Sequence, residues 1–189
     1  MKITNYERIN MFKTELDLIG DINVRKVCEY GLINAPEYFF TIPASTTGKY
    51  HPKQDLGECG LVRHTKSVIH IGIDLVKSEV FVKDTQQSID FCVICGLFHD
   101  IVKCGYEDSQ YTKHEHPMLA SMYLTKCVKE LNLENDIPLD RYAHAISCHM
   151  GKWNTNKHSD IVLNKPETKY DYLLHTADYI ASRKYVKMF

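Results

Sequence analysis

The chain has 189 residues, and its 23 basic and 24 acidic side chains nearly cancel. That length suits one domain burying roughly two-thirds of its unfolded surface, and the charge balance excludes a general field for nucleic acid or a membrane. Seven cysteines, an odd number set mostly in apolar or helical patterns, point to reduced thiols in the cytoplasm, and no stretch approaches the roughly 18 apolar residues of a membrane span.

Ile9, Phe12, Leu16 and Ile19 recur at helical spacing, which predicts one amphipathic helix over 6–19 ending near Gly20. A second short helix is expected over 21–32, stopped by Asn34-Ala35-Pro36. The next stretch, EYFFTIPASTTGKYHPKQDLGECG, has prolines, small polar residues and no period, so it reads as a long loop, either functional or disordered. Helical period returns over 61–80 with His64, Val68, Ile71 and Leu75 on one stripe. Residues 88–98 are more uniformly apolar and predict a central helix, whose apolar run ends abruptly in His99-Asp100.

After a polar loop over 104–113, His116-Pro117 opens the best-patterned helix. Leu119, Ala120, Tyr123, Leu124, Cys127, Val128 and Leu131 share the stripe of His116, which therefore begins an inward face. A helix over 138–150 aligns Tyr142, Ala145, Ile146 and His149, with Gly151 as its stop. Thr168 and Asp171 are spaced as a capping box for a last helix that turns Leu174, Ala177, Asp178 and Ala181 inward. With no period-2 strand, repeat or low-complexity tract, the expected architecture is all-α, a single-domain helical bundle.

Five of these helices bring His64, His99 with Asp100, His116, His149 and Asp178 toward the interior. Each taken singly is an ordinary hydrogen-bonded core residue. Six such groups with no equally buried basic partners are hard to satisfy without cations. Imidazoles and carboxylates without thiolate suit iron or manganese, with cobalt, nickel, zinc or magnesium as further choices. Six ligands exceed what one open catalytic ion needs, so the expectation is two ions sharing Asp100 and a bridging hydroxide for phosphate-ester hydrolysis. Cys92-x-x-Cys95 lacks a second pair for a thiolate zinc site and reads as two cysteines on a buried helix.

The order H…HD…H…H…D on helices resembles the HD-domain metal-dependent phosphohydrolase superfamily. The resemblance covers roughly 57–184 and rests on GLVRHT at 60–65, LFHDIVK at 97–103, HP at 116–117, HMG at 149–151 and HTADYIASRK at 175–184. It implies an HD core over 57–189, with 1–56 supplying N-terminal helices and a substrate loop to the same domain. It also implies His64, His99, Asp100 and Asp178 around one ion and Asp100, His116 and His149 around the other, with Lys103 near the substrate phosphate. His114 competes with His116, which is preferred because its proline matches the family. The ligand complement resembles the binuclear branches. Gly57-Glu-Cys-Gly60 stands where many relatives have a glycine pair, Cys148 where several branches have a second histidine, and a GYP signature is absent.

Ser45, Lys49 and His51 in the long loop suit an oxyanion, although the loop is no Walker A motif. Trp153 could stack on a base or simply pack, and Arg183 could hold phosphate or a neighbouring carboxylate. His70, His144, His158 and His175 are assigned no role. The expected function is hydrolysis of a phosphomonoester, phosphodiester or phosphoanhydride of a nucleotide-like small molecule, with no membrane partner and no strong signal for nucleic acid. The alternatives are a symmetrical dinucleoside-tetraphosphate hydrolase and a non-catalytic nucleotide-binding HD module.

Overall fold

A computed structural model describes residues 3–45, 47–106 and 111–186. Among them there is no β-strand, and the architecture is all-α. Where one N-terminal helix was expected there are two, α1 (Asn5–Asn10) and α2 (Lys13–Leu16). Phe12, at φ −114° and ψ 15°, leaves the helical region between them, and its ring stacks on Phe39 at 5.9 Å. The break lets α2 bury Glu15, whose carboxylate meets His70 at 3.0 Å and Lys66 at 3.5 Å on a later helix. Tertiary packing of one ring and one ion pair here overrides a continuous amphipathic pattern.

Asp21 caps α3 (Ile22–Asn34) by accepting from the amides of Asn23 and Val24, and Pro36 forces the chain out of the helix two residues past its end. The long stretch that follows is folded at both ends. A 3-10 turn over Glu37–Phe40 buries Tyr38, Phe39 and Phe40 in the core, and a second covers Lys53–Leu56. Its base is fastened by three backbone bonds, Ala44 N–H to Asp55 O at 2.8 Å, Cys59 N–H to Thr41 O at 3.0 Å and Leu61 N–H to Ile42 O at 3.0 Å.

The core is built on α5 (Gln86–Phe98), flanked by α4 (Gly60–Lys77), α7 (Leu139–Ser147) and α8 (Lys169–Ala181), with α6 (His116–Glu130) packed on α7. Every residue from 91 to 100 is buried, which is why this helix shows no polar stripe in sequence. Its apolar side chains share one cluster with Phe12, Leu16 and Val24 from the N-terminal helices. The capping box of α8 forms as expected, Thr168 accepting from the Asp171 amide and Asp171 from the Thr168 amide. The seventh helix is shorter than expected. It stops at Ser147, and Gly151 at φ +58° reverses the chain into a 3-10 turn over Gly151–Trp153. No helix is long and apolar enough to cross a membrane.

Candidate metal centre

The chain ends its core helices in polar groups that converge. His64 lies in the second turn of α4, His99 caps the C-terminus of α5, and Asp100 and Lys103 occupy the turn just beyond. His116 opens α6, His149 follows α7, and Asp178 lies on α8. Two triads result, His64–His99–Asp178 and Asp100–His116–His149. In the first, His64 Nε2 is 3.1 Å and His99 Nε2 3.9 Å from Asp178 Oδ1. In the second, His116 Nε2 is 3.1 Å and His149 Nε2 3.9 Å from Asp100 Oδ1. Asp100 joins them, because its other oxygen, Oδ2, lies 3.5 Å from His99 Nε2 and 3.9 Å from His64 Nε2.

Tautomers decide what these atoms offer. The Nδ1 atoms of His99, His116 and His149 pair with the carbonyls of Gly96, Lys113 and Ile146 at 2.7, 2.7 and 2.8 Å. A carbonyl can only accept, so each Nδ1 carries a proton, and in the neutral ring Nε2 then presents a bare lone pair. His116 Nε2 and His149 Nε2 then face each other at 3.2 Å, an arrangement that neutral imidazoles cannot use as a hydrogen bond. His64 Nε2, His99 Nε2 and Asp100 Oδ1 are buried with no hydrogen-bond partner, despite the close approaches above. Converging lone pairs and carboxylate oxygens fit divalent cations, and they resolve a polar deficit that an ion-free core leaves open.

The electrostatics agree. Burial alone would raise the Asp100 carboxyl, but the Lys103 ammonium, His99 and His116 outweigh it and hold the group well below the usual carboxylate range. Burial would likewise raise Asp178, and the His64 contact with the nearby imidazoles reverses this. Burial, with His116 and His99 adding to it, pushes His149 down to about 3, and burial lowers His99 as well. Both carboxylates are thus ionised and these two imidazoles neutral at neutral pH, the protonation states that metal ligation requires.

A family model, the HD domain, matches residues 61–183. The chain belongs to the HD-domain family. No curated protein and no solved structure gives a match. HD domains form a superfamily of metal-dependent hydrolases, and both triads of this one, which could hold metal, fall within the matched span.

In this HD domain His114 stands apart from the centre, its Nε2 bonded to Ile161 O at 3.1 Å. A third group, His144, Cys148 and Asp171, also comes together. There Asp171 Oδ2 is already taken by the amides of Glu167 and Thr168 and by His144 at 3.2 Å, so it serves as a helix cap. Cys59, in the Gly57-Glu-Cys-Gly60 lead-in to α4, sits at φ +57°, in the left-handed region that glycine occupies without strain.

A cavity of about 490 Å³ opens over the centre, with Asp100, Lys103, His116, His149 and Asp178 in its wall. Of the residues expected to meet substrate, Ser45, His51, Trp153 and Arg183 line it. Lys49 does not; its Nζ lies 5.1 Å from the ring of Tyr50. His51 packs edge-on against His64 at 5.1 Å, and burial, with His64 and Lys103 nearby, pushes it down to about 3.

Tyr50, His175 and Tyr179 also line the cavity and were missed from sequence. The signal for two of them was present, since His175 and Tyr179 stand at −3 and +1 from Asp178 on one helix. His175 Nδ1 donates to His149 O at 2.7 Å, and a Cβ at Gly151 would meet the His175 ring at 2.3 Å. The histidine thereby ties α8 to the turn that carries His149. Asp55 was missed too. It is fully buried with both carboxylate oxygens unpartnered, and burial raises its carboxyl against the pull of His64 and Arg63.

Proposed function

We propose that this HD domain is a metal-dependent phosphohydrolase that cleaves a phosphomonoester, phosphodiester or phosphoanhydride of a small molecule, using two divalent transition-metal ions, iron or manganese foremost. The observation that carries the reading is the pair of triads joined through the two oxygens of Asp100, with a lysine beside them at the wall of a cavity. Two cations there would supply Lewis-acid charge to phosphoryl oxygens and acidify water between them. His64, His99 and Asp178 would hold one, His116 and His149 the other, and Asp100 both.

Lys103 Nζ lies 2.6 Å from Asp100 Oδ2. An ammonium poised on a ligand carboxylate can turn to a phosphoryl oxygen once a cation takes over the carboxylate charge, and so neutralise charge that develops in the transition state. Ser45 and His51 stand on the loop side of the cavity, where they can orient the phosphate. The complete ligand set and retained lysine weigh against a non-catalytic module, and the thiols, all seven unpaired, fit a cytoplasmic setting.

The test is reconstitution of the purified chain with manganese or iron, followed by elemental analysis and assay of phosphate release from a panel of nucleotides, dinucleoside polyphosphates and sugar phosphates. Turnover that requires metal and disappears in Asp100→Ala supports the reading. A metal-loaded protein inert toward every phosphate compound would sink it.

A further inference from the structure

His99, His116 and His149 each give the Nδ1 proton to a backbone carbonyl. His64 is the exception. Its Nδ1 is buried and has no hydrogen-bond partner, so no direct bond fixes which of its nitrogens carries the proton. An imidazole holds a cation through Nε2 only in the tautomer that is protonated at Nδ1, and a partner for that proton is what selects it.

Asp55 has the complementary deficit. It is fully buried in the 3-10 turn over Lys53–Leu56, and neither of its carboxylate oxygens has a partner. A carboxylate removed from water without a bonded donor is costly to keep. Arg63 does not relieve it, because its Nε donates to Gln54 O at 2.8 Å and no bond reaches Asp55.

The fold relates the two deficits. The 3-10 turn packs on α4, and the contact is so close that a Cβ at Gly60 would meet Asp55 O at 2.1 Å. Gly60 and His64 stand four residues apart on α4, hence on one face, and a helical side chain leans toward the helix N-terminus. The His64 ring therefore leans over the turn of helix against which Asp55 is packed. Burial raises the Asp55 carboxyl, and His64, followed by Arg63, pulls against it. Since Asp55 and His64 Nδ1 are not bonded to each other, one buried water is the smallest bridge that satisfies both.

Building on the metal-dependent reading above, we infer that Asp55 is the positioning residue of His64: through one bridging water it takes the Nδ1 proton, and Nε2 keeps its lone pair for the ion of the first triad. Three ligand imidazoles are thus oriented by carbonyls and the fourth by a full negative charge, which also makes that imidazole more basic toward a cation. The carbonyl of the same residue accepts from Ala44 N–H at 2.8 Å, so the base of the long stretch and the first ion's ligand share one support.

Asp55→Asn keeps the shape and removes the charge. The full chain and this variant are titrated with manganese, and one of the two ions should bind on the order of ten- to a hundredfold more weakly in the variant while the other is unaffected. A double-mutant cycle assigns the ion. Asp55→Asn should weaken manganese binding in the His116→Ala background, which keeps the first triad, and change nothing in His64→Ala. The urea midpoint of the metal-free protein should stay the same or rise, because a buried charge without a direct bond has been removed. In the zinc-loaded chain the Nδ1 proton of His64 should give a slowly exchanging NMR signal that Asp55→Asn shifts, while those of His99, His116 and His149 stay in place. Equal manganese affinity in the two proteins overturns the positioning role and leaves the hydrolase reading intact. So does a variant that loses both ions alike with a lower urea midpoint, which would make Asp55 a packing residue. A chain that binds both ions and hydrolyses no phosphate compound sinks the hydrolase reading alone, and the manganese titrations still decide the role of Asp55.

Discussion

The hydroxyl of Tyr38 accepts from the amide of Cys104 at 3.1 Å and donates to the carbonyl of Gly105 at 2.6 Å. A buried residue of the long N-terminal stretch thereby fixes the turn that follows Asp100 and Lys103. Lys113 continues the connection, its amide donating to Lys103 O at 3.0 Å and its carbonyl accepting from His116 Nδ1 at 2.7 Å.

Tyr38→Phe keeps the ring and removes both bonds, leaving a buried N–H and carbonyl without partners. We expect a loss of about 1–3 kcal/mol in urea unfolding. We also expect a fall in kcat for the same metal content, because Lys103 and His116 lose their common support. Unchanged unfolding and kinetics would mean that the turn is held elsewhere.

Metal content separates the roles of the ligands. Wild type reconstituted with manganese should carry about two ions per chain. Asp100→Ala should lose both, since each of its oxygens faces a different triad. His116→Ala and His64→Ala should each mainly lose one. Elemental analysis reads all four proteins, and one ion or fewer in the wild type would leave the double centre without support.

Lys103→Ala should keep its metal and lose on the order of a hundredfold in kcat, the usual size of one transition-state charge contact. Full activity in this variant would place the ammonium outside the chemistry.

Much of this molecule is legible in its sequence, for physical reasons that differ by element. The stripes of α4 and α6 and the Thr168–Asp171 cap show because a helix on a core repeats its contacts every turn. The same periodicity put His64, His116, His149 and Asp178 on inward faces, the abrupt end of an apolar run marked His99 and Asp100, and the structure brings all six together. The break at Phe12 was hidden because it depends on Phe39, a partner remote in sequence. Tyr38, Phe39 and Phe40 were hidden in a stretch without period, since a single 3-10 turn is too short to display one. Tyr50 and Tyr179 carry no ligand chemistry of their own, and only the cavity they share reveals them.

Acid should destabilise the metal-free protein. His149 is pushed down to about 3 by burial and His99 is lowered too, against roughly 6.5 for an unfolded imidazole. Between those values the unfolded chain binds protons that the folded one refuses, so stability present above about pH 6.5 is lost as pH falls toward about 3. His149 alone would account for about 1.4 kcal/mol per pH unit in that window. Urea midpoints compared at about pH 7 and about pH 5 should show the drop, and bound metal should delay it to lower pH. A flat profile would contradict the buried neutral imidazoles.

The three backbone bonds at the base of the long stretch, linking Thr41, Ile42 and Ala44 to Cys59, Leu61 and Asp55, have a consequence for how such a protein can change. They close an Ω-shaped loop whose two ends stay fixed whatever lies between. Because loop closure depends only weakly on length, residues 45–54 form a cassette that could be lengthened, shortened or grafted from another chain while the helices and the metal ligands keep their places. The part of the cavity wall that Tyr50 and His51 supply is thereby separable from the helices that carry the metal ligands.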